Sequence, residues 1–152
     1  MAASDLPGIV DAGWTLVEAA FPDLLAALRQ HAYRFRLHRV DVGPGWAPLV
    51  RECNEQLEAA FPEYELLAVK QKYGQLAFQA FPRAWASGRV SWSDEEHDQV
   101  DDILEAIAER STTICEWCGG PGDLRLGREL VLTLCDGCNA RFDDPPYKLY
   151  GR

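Results

Sequence analysis

No run of apolar residues in this chain approaches the roughly 18 needed to span a bilayer. The amino terminus, "MAASDLPGIVDAG", has no basic region and no long apolar stretch, so no secretory signal is expected there. Histidine is scarce: His31, His38 and His97 are the only three, and none has a Ser, Cys or Asp partner at a recognisable motif spacing. Nothing reads as a nucleophile elbow, a phosphate loop or a dinucleotide fingerprint. Positive charge is short as well, with 15 Lys and Arg against 24 Asp and Glu and a net charge of −9. An acidic body repels the phosphate backbone, which disfavours generic nucleic-acid binding by the whole protein. Five cysteines without an export signal argue against a disulfide framework and for a reducing compartment, so a cytoplasmic location is expected.

What is present suffices for a folded protein. Apolar residues make up 47% of the 152, with 11% aromatic, enough for one packed domain and a small appended module. The acidity is uneven. Residues 1–110 hold 10 of the Lys and Arg and 18 of the Asp and Glu, a balance of −8. The pattern divides into an acidic domain at 1–110, a cysteine module at 111–142 and an extended tail at 143–152.

The hexapeptide "EAAFPD" at Glu18–Asp23 returns as "EAAFPE" at Glu58–Glu63. Proline disfavours helical geometry in the residue before it, so both copies read as helix ends rather than as a repeat. Helices are expected over Trp14–Ala20, Pro22–Ala32 and Pro48–Phe61, the last with Leu49, Val50, Cys53 and Leu57 on one face. Cys53 on that face reads as a buried, inert thiol. The alternation in "YRFRLHRVDV", with Tyr33, Phe35 and Leu37 opposite Arg34, Arg36 and His38, predicts a half-buried strand. Leu67 and Val69, then Leu76, Phe78 and Ala80, predict two antiparallel strands turning near Lys72–Gln75. Lys70 and Lys72 should share a strand face and blunt an edge. Ser93 opens a capping box with Glu96, ahead of a helix whose buried stripe is Val100, Ile103, Leu104 and Ile107.

Four of the cysteines stand as two Cys-x-x-Cys pairs, Cys115/Cys118 and Cys135/Cys138, with 16 residues between them. That spacing lies in the range of four-cysteine zinc sites. Each pair can wrap a knuckle that points both sulfurs at one tetrahedral ion, and Gly119, Gly120 and Gly122 supply permissive backbone. A redox Cys-x-x-Cys is the alternative, and two coordinated pairs make it the poorer one. Between the pairs, Leu124 and Leu126, a turn at Gly127, then Leu130, Leu132 and Leu134 predict a hairpin. Four cysteines complete the tetrahedron and leave no position for a reactive water, so the expected Zn²⁺ is structural. The deaminase signature needs H-x-E, which no histidine here provides. Treble-clef nucleases of the HNH kind need a histidine in this region, and none lies between Cys115 and Arg152.

Two surfaces are candidates for partners. Asp94, Asp98, Asp101, Asp102 and Glu105 lie on the helix opened by Ser93 and form a carboxylate row suited to a basic protein partner. A solvated face is the plainer reading of the same row, although like charges nearly unopposed within one helix repel. Trp85 and Trp117 can anchor another protein, while Trp46 and Trp92 read as core or staple residues. Arg125, Arg128 and Arg141 offer a nucleic-acid alternative, because GATA-like fingers have nearly this cysteine spacing. Interleaved Glu116, Asp123, Glu129, Asp136, Asp143 and Asp144 weigh against it. Arg34, Arg36, His38 and Arg39 form a basic run that reads as salt bridging to the acidic excess.

The order of parts carries a resemblance. Gly45-Trp46-x-Pro48-Leu49 begins a helix, "KQKYGQLAF" follows at Lys70–Phe78, and a helix then runs into "CEWCGGPG" and "TLCDGC". This resembles a group of small, uncharacterised bacterial and phage-borne proteins with a K-x-K-[FY]-G-x-L-x-[FY] segment ahead of paired zinc cysteines. The likeness spans Gly45–Cys138 and implies an architecture and a bacterial setting, without an activity. The expectation is therefore an α+β protein: a mixed helix and antiparallel-strand body with a C-terminal four-cysteine zinc ribbon or treble-clef-like module. It is expected to be a non-enzymatic, zinc-containing protein that binds another protein, such as an inhibitor or immunity factor against a toxin or defence enzyme. A nucleic-acid-binding regulator is the alternative.

Overall fold

The computed structural model describes residues 8–10, 13–33, 37, 39–83 and 92–142. The chain is α+β. Its elements in order are β1 (Gly8–Val10), β2 (Gly13–Thr15), α1 (Pro22–Arg29), β3 (Val40–Asp41) and a short 3₁₀ turn at Pro44–Trp46. Then come α2 (Ala47–Ala60), β4 (Glu65–Lys72), β5 (Gln75–Phe81), α3 (Asp94–Ser111), β6 (Asp123–Arg125), β7 (Leu132–Leu134) and α4 (Asp136–Arg141). Among these, no helix is long and apolar enough to cross a membrane.

The body is organised by a three-stranded sheet in the order β3-β4-β5. β3 runs parallel to β4, so α2 is the crossover that a parallel pair requires. The apolar stripe of α2 is buried as the periodicity predicts, with Leu49, Val50, Cys53 and Leu57 all inside. Burial pushes the Cys53 thiol up to about 12, which keeps it protonated and inert. α3 packs against β5 and α2 and contributes Val100 and Ile107 to the same core. Its start follows the sequence: the Ser93 hydroxyl accepts from the Glu96 N–H at 3.1 Å, and the Glu96 carboxylate accepts from the Ser93 N–H at 2.9 Å.

Several sequence expectations change. The helix expected over Trp14–Ala20 is instead β2 followed by a turn, because Trp14 lies in a hairpin with β1 and buries its ring elsewhere. The two EAAFP copies therefore differ: one precedes a helix and the other ends one. Of the strand expected over Tyr33–Val42, the described residues form strand at Val40–Asp41 and not at Tyr33, Leu37 or Arg39, while Arg34, Phe35, Arg36 and His38 lie outside the described residues. In β4 the buried pair is Leu66 and Val69, with Leu67 exposed, because an irregularity between Leu66 and Ala68 shifts the register that simple alternation assumes. β4 is also the middle strand at Lys70, which pairs with both Asp41 and Ala77 and so cannot guard an edge there.

The β4–β5 hairpin turns through two residues, Tyr73 and Gly74, with φ of 53° and 82°. Positive φ at both positions is the conformation that matches the twist of the flanking strands. The turn is buttressed by the C-terminal module. The Thr133 hydroxyl donates to the Gly74 carbonyl at 2.7 Å, and the Leu76 N–H donates to the Ser111 hydroxyl at 2.9 Å. A Cβ on Gly74 would collide with Leu124 Cδ1. The "KYG" segment is thus one place where body and module meet.

Gly74→Ala adds a left-handed backbone cost of about 1–2 kcal/mol to that collision. The expected outcome is a melting temperature lowered by several degrees in thermal denaturation, with the far-UV circular dichroism spectrum retained. An unchanged melting temperature would mean that position 74 does not hold a left-handed backbone.

Candidate metal centre

The module is built as knuckle, hairpin and helix, a treble-clef-like order. Cys115 and Cys118 bracket the first knuckle, where the Cys115 N–H donates to the Gly120 carbonyl at 2.7 Å and the Gly119 N–H to the Cys115 carbonyl at 2.9 Å. β6 and β7 form the antiparallel hairpin, in register Asp123↔Leu134 to Arg125↔Leu132. Cys135 then caps α4, and Cys138 lies in its first turn. The hairpin is the one predicted, but its apolar burial is one-sided. Leu132 and Leu134 are inside with all of β7, whereas Leu124 and Leu126 are exposed, Leu124 of the surface strand β6 reaching the Gly74 turn.

The four sulfurs converge. All lie within 4.8 Å of one another, and Cys118 and Cys135 are 3.8 Å apart. Four sulfurs at about 2.3 Å from a central ion would be separated by about 3.8 Å, so the set fits one tetrahedral metal. Backbone N–H groups point at two of them: Gly120 at Cys118 (3.4 Å) and Cys138 at Cys135 (3.3 Å). The Cys138 N–H draws the Cys135 thiol down to about 7, toward the thiolate a metal needs. Cys115 and Cys138 are buried and Cys118 is exposed, so the site sits at the surface with its inner half sealed.

The seal comes from the body. The 3₁₀ turn lies against the knuckle so closely that a Cβ on Gly45 would collide with the Cys115 carbonyl oxygen. The Gly45 N–H donates to the Glu116 carbonyl at 2.8 Å, and the Trp46 indole N–H donates to the Ile114 carbonyl at 2.8 Å. Glu116 itself is fully buried between the two cysteines of the knuckle. Its Oε2 accepts from the Gly43 N–H at 2.9 Å, while its Oε1 has no hydrogen-bond partner among the described residues. Burial pushes this carboxyl up to about 8 against the opposing pull of the Gly43 N–H. A neutral acid is also the form best suited to a neighbourhood of thiolates. In the sequence Glu116 is only one of several interleaved acids, and nothing there marks it as interior.

The other candidate residues are dispersed. Asp94, Glu95, Asp98, Asp102, Glu105 and Glu109 are exposed along α3, and Asp101 is half-buried beside His97 at 3.2 Å. Trp117 is half-buried against Trp14 (ring centroids 5.6 Å) and Phe142 (4.9 Å), with the Arg141 guanidinium 5.8 Å above it. Trp85 lies outside the described residues. Trp46 is fully buried, and Trp92 stacks on Phe81 at 5.6 Å. Arg125 donates to Asp136 (2.8 Å) and to the Leu134 carbonyl (3.0 Å). Arg128 donates to Asn139 Oδ1 (2.9 Å) and to the Phe142 carbonyl (2.7 Å). Of the three arginines only Arg141 is exposed.

Sequence reasoning also missed a polar cluster under the body. His31 stacks on Tyr64 at 3.9 Å between centroids, and its ring nitrogens lie 2.9 Å from the Tyr64 carbonyl and 2.8 Å from Glu58 Oε1. The Asn54 amide also donates to Glu58, and the Tyr64 hydroxyl donates to Asn54 Oδ1. The long-range partners in it stand 10 to 33 residues apart, beyond any motif spacing. The cluster ties the end of α1 to α2 and β4.

No protein-family model matches this chain, and no curated protein or solved structure matches it either. The metal centre therefore stands on its own geometry.

Glu116→Ala leaves the buried Gly43 N–H unsatisfied, a cost of about 1–3 kcal/mol. Glu116→Gln keeps an acceptor in place. The expected outcome in chemical denaturation is a clear loss of stability for the alanine variant and a smaller one for glutamine, each measured with bound metal quantified. Equal losses would place the effect in volume rather than in the hydrogen bond.

Proposed function

We propose that this chain is a non-enzymatic binding protein whose module holds one structural Zn²⁺ and whose acidic α3 face engages another protein. The donor chemistry supports zinc: four thiolates in a closed tetrahedral set favour Zn²⁺ over harder cations that prefer oxygen. Filled by cysteine, such a site offers no open position to a substrate, so the metal's role is to hold a hairpin and a six-residue helix together.

The observation that carries the partner reading is the placement of charge on α3. At about 100° per residue, Asp94, Glu95, Asp98, Asp101, Asp102, Glu105 and Glu109 fall within an arc of about 120°. That arc lies opposite the Val100 and Ile107 stripe. Like charges recur at i,i+4 in 94/98, 98/102, 101/105 and 105/109, each costing about 0.2–0.5 kcal/mol. Arg110, the one Lys or Arg of the helix, is paired with Glu52 of α2. A cationic protein surface relieves this repulsion, and steering by opposite charge gives the fast association an inhibitor or immunity factor needs. The bacterial setting implied by the Lys70–Phe78 resemblance agrees with such a role.

A nucleic-acid regulator acting through Arg125, Arg128 and Arg141 draws less support. Two of those guanidinium groups already make hydrogen bonds within the module.

Elemental analysis is expected to give one zinc per chain, and chelation is expected to loosen the module while leaving the body's α-helical signal largely in place. A pull-down from lysate of the source organism should recover a protein partner that survives nuclease treatment. Reversing Asp98, Asp101 and Asp102 to lysine should weaken that complex at least tenfold, and added salt should weaken it as well. Nucleic acid recovered instead, and lost with Arg125, Arg128 and Arg141, would favour the alternative.

A further inference from the structure

A groove of about 510 Å³ runs between the β4–β5 hairpin and α3. Its floor is Leu76 and Phe78, and its α3 wall is Leu104 and Ala108. At one end stands Tyr73, the most exposed large apolar side chain among the described residues at 75%. A monomer gains nothing by holding an aromatic ring in water beside an apolar cleft, and the volume is in the range of about 300–1,000 Å³ typical of binding sites.

Charge limits what can occupy it. On α3, Leu104 and Ala108 are bordered along the helix surface by Asp101 and Glu105, with Asp98 and Glu109 one step further round. Glu105 itself lines the groove, and Lys72 on the hairpin is the only cation that does among the described residues. A second copy of this chain would bring another −9 of charge to an acidic rim, and nucleic acid would bring phosphates. Both are repelled. The groove is suited instead to an occupant that is apolar at its centre and cationic at its edge.

We infer that this groove receives a basic amphipathic segment of a partner protein. One Leu or aromatic side chain of that segment seats over Phe78, Leu104 and Ala108 beside Tyr73, and flanking Lys or Arg side chains meet Asp101, Glu105 and Glu109. The inference rests on the reading of α3 as the partner face and adds to it an apolar anchor and a position. Charge alone would give a weak, register-free contact. A seated side chain fixes where along α3 the partner binds, because desolvated anchors carry most of the energy of an interface and its charged rim little.

The test uses the full-length, zinc-loaded protein as bait for a phage-displayed library of random dodecapeptides. Enriched peptides are expected to share a Leu or aromatic residue flanked by at least two Lys or Arg. A synthetic copy is expected to shift the backbone amide resonances of residues 75–79 and 104–108. Ala108→Trp fills the groove and should cost at least tenfold in peptide affinity, and Glu105→Arg, at an exposed position, should cost several-fold. If Ala108→Trp fails to fold, Gln79→Trp obstructs the groove from the opposite wall and should have the same effect. No enrichment, enrichment without an excess of cations, or affinity unchanged by a folded groove-filling variant would each overturn the inference. Peptides that lose affinity on reversal of Asp98, Asp101 and Asp102 but ignore the groove-filling variants would overturn the groove alone and leave the acidic-face reading standing. Peptides indifferent to both sets of variants would remove both.

Discussion

The docking of the Gly43–Trp46 turn onto the first cysteine knuckle is the contact on which the rest depends. A short knuckle closed by two thiols has almost no apolar area of its own, so it must borrow order from a metal, a neighbour, or both. Here the neighbour supplies the Gly43, Gly45 and Trp46 hydrogen bonds, all directed at Ile114 or Glu116. The same few residues begin α2, whose buried face is the centre of the body. The knuckle and the start of α2 are therefore anchored by one shared set of hydrogen bonds. The buried Glu116 carboxyl is the most demanding part of this arrangement, since its desolvation is only partly offset by one N–H.

A second tie runs through the Tyr73–Gly74 turn, where Thr133 of β7 and Ser111 at the end of α3 satisfy backbone groups of the body. Ser111 is at once the last residue of α3 and the first of the cysteine segment. Trp14, near the amino terminus, completes the module's apolar cluster with Leu132, Leu134 and the half-buried Trp117 and Phe142. Residues from three distant parts of the chain thus enclose the cysteine centre. The four thiols need contribute only the local closure, and the module's orientation is set by packing.

Legibility in the sequence follows the range of the interactions. The α2 stripe, the Ser93–Glu96 capping box, the hairpin turn near Lys72–Gln75 and the four-cysteine set all depend on residues a few positions apart or on a spacing that chemistry recognises, and each is present. Trp14–Ala20 misleads because its apolar spacing fits a helix, whereas pairing with β1 decides its conformation. Leu67 falls on the other face from the one expected because strict alternation cannot register an irregularity in the ladder. Leu124 and Leu126 look like core because a hairpin's pattern does not reveal which strand faces a neighbour. The roles of Glu116, His31 and Gly45 are out of reach for one reason: each is defined by a partner in a distant part of the chain.

Tyr73 has a consequence for how this protein tolerates change. It holds φ at 53°, a conformation that costs a non-glycine residue about 1–2 kcal/mol and that Asn, Asp or Gly would adopt more readily. Tyr73→Asn would relax that strain, and the fold would gain stability by losing a ring that barely packs against it. The ring sits beside the groove between β5 and α3, so stability and recognition pull in opposite directions at this single residue. Selection of variants for heat resistance alone would be drawn to position 73, and the proteins it favoured would be sturdier and less able to grip.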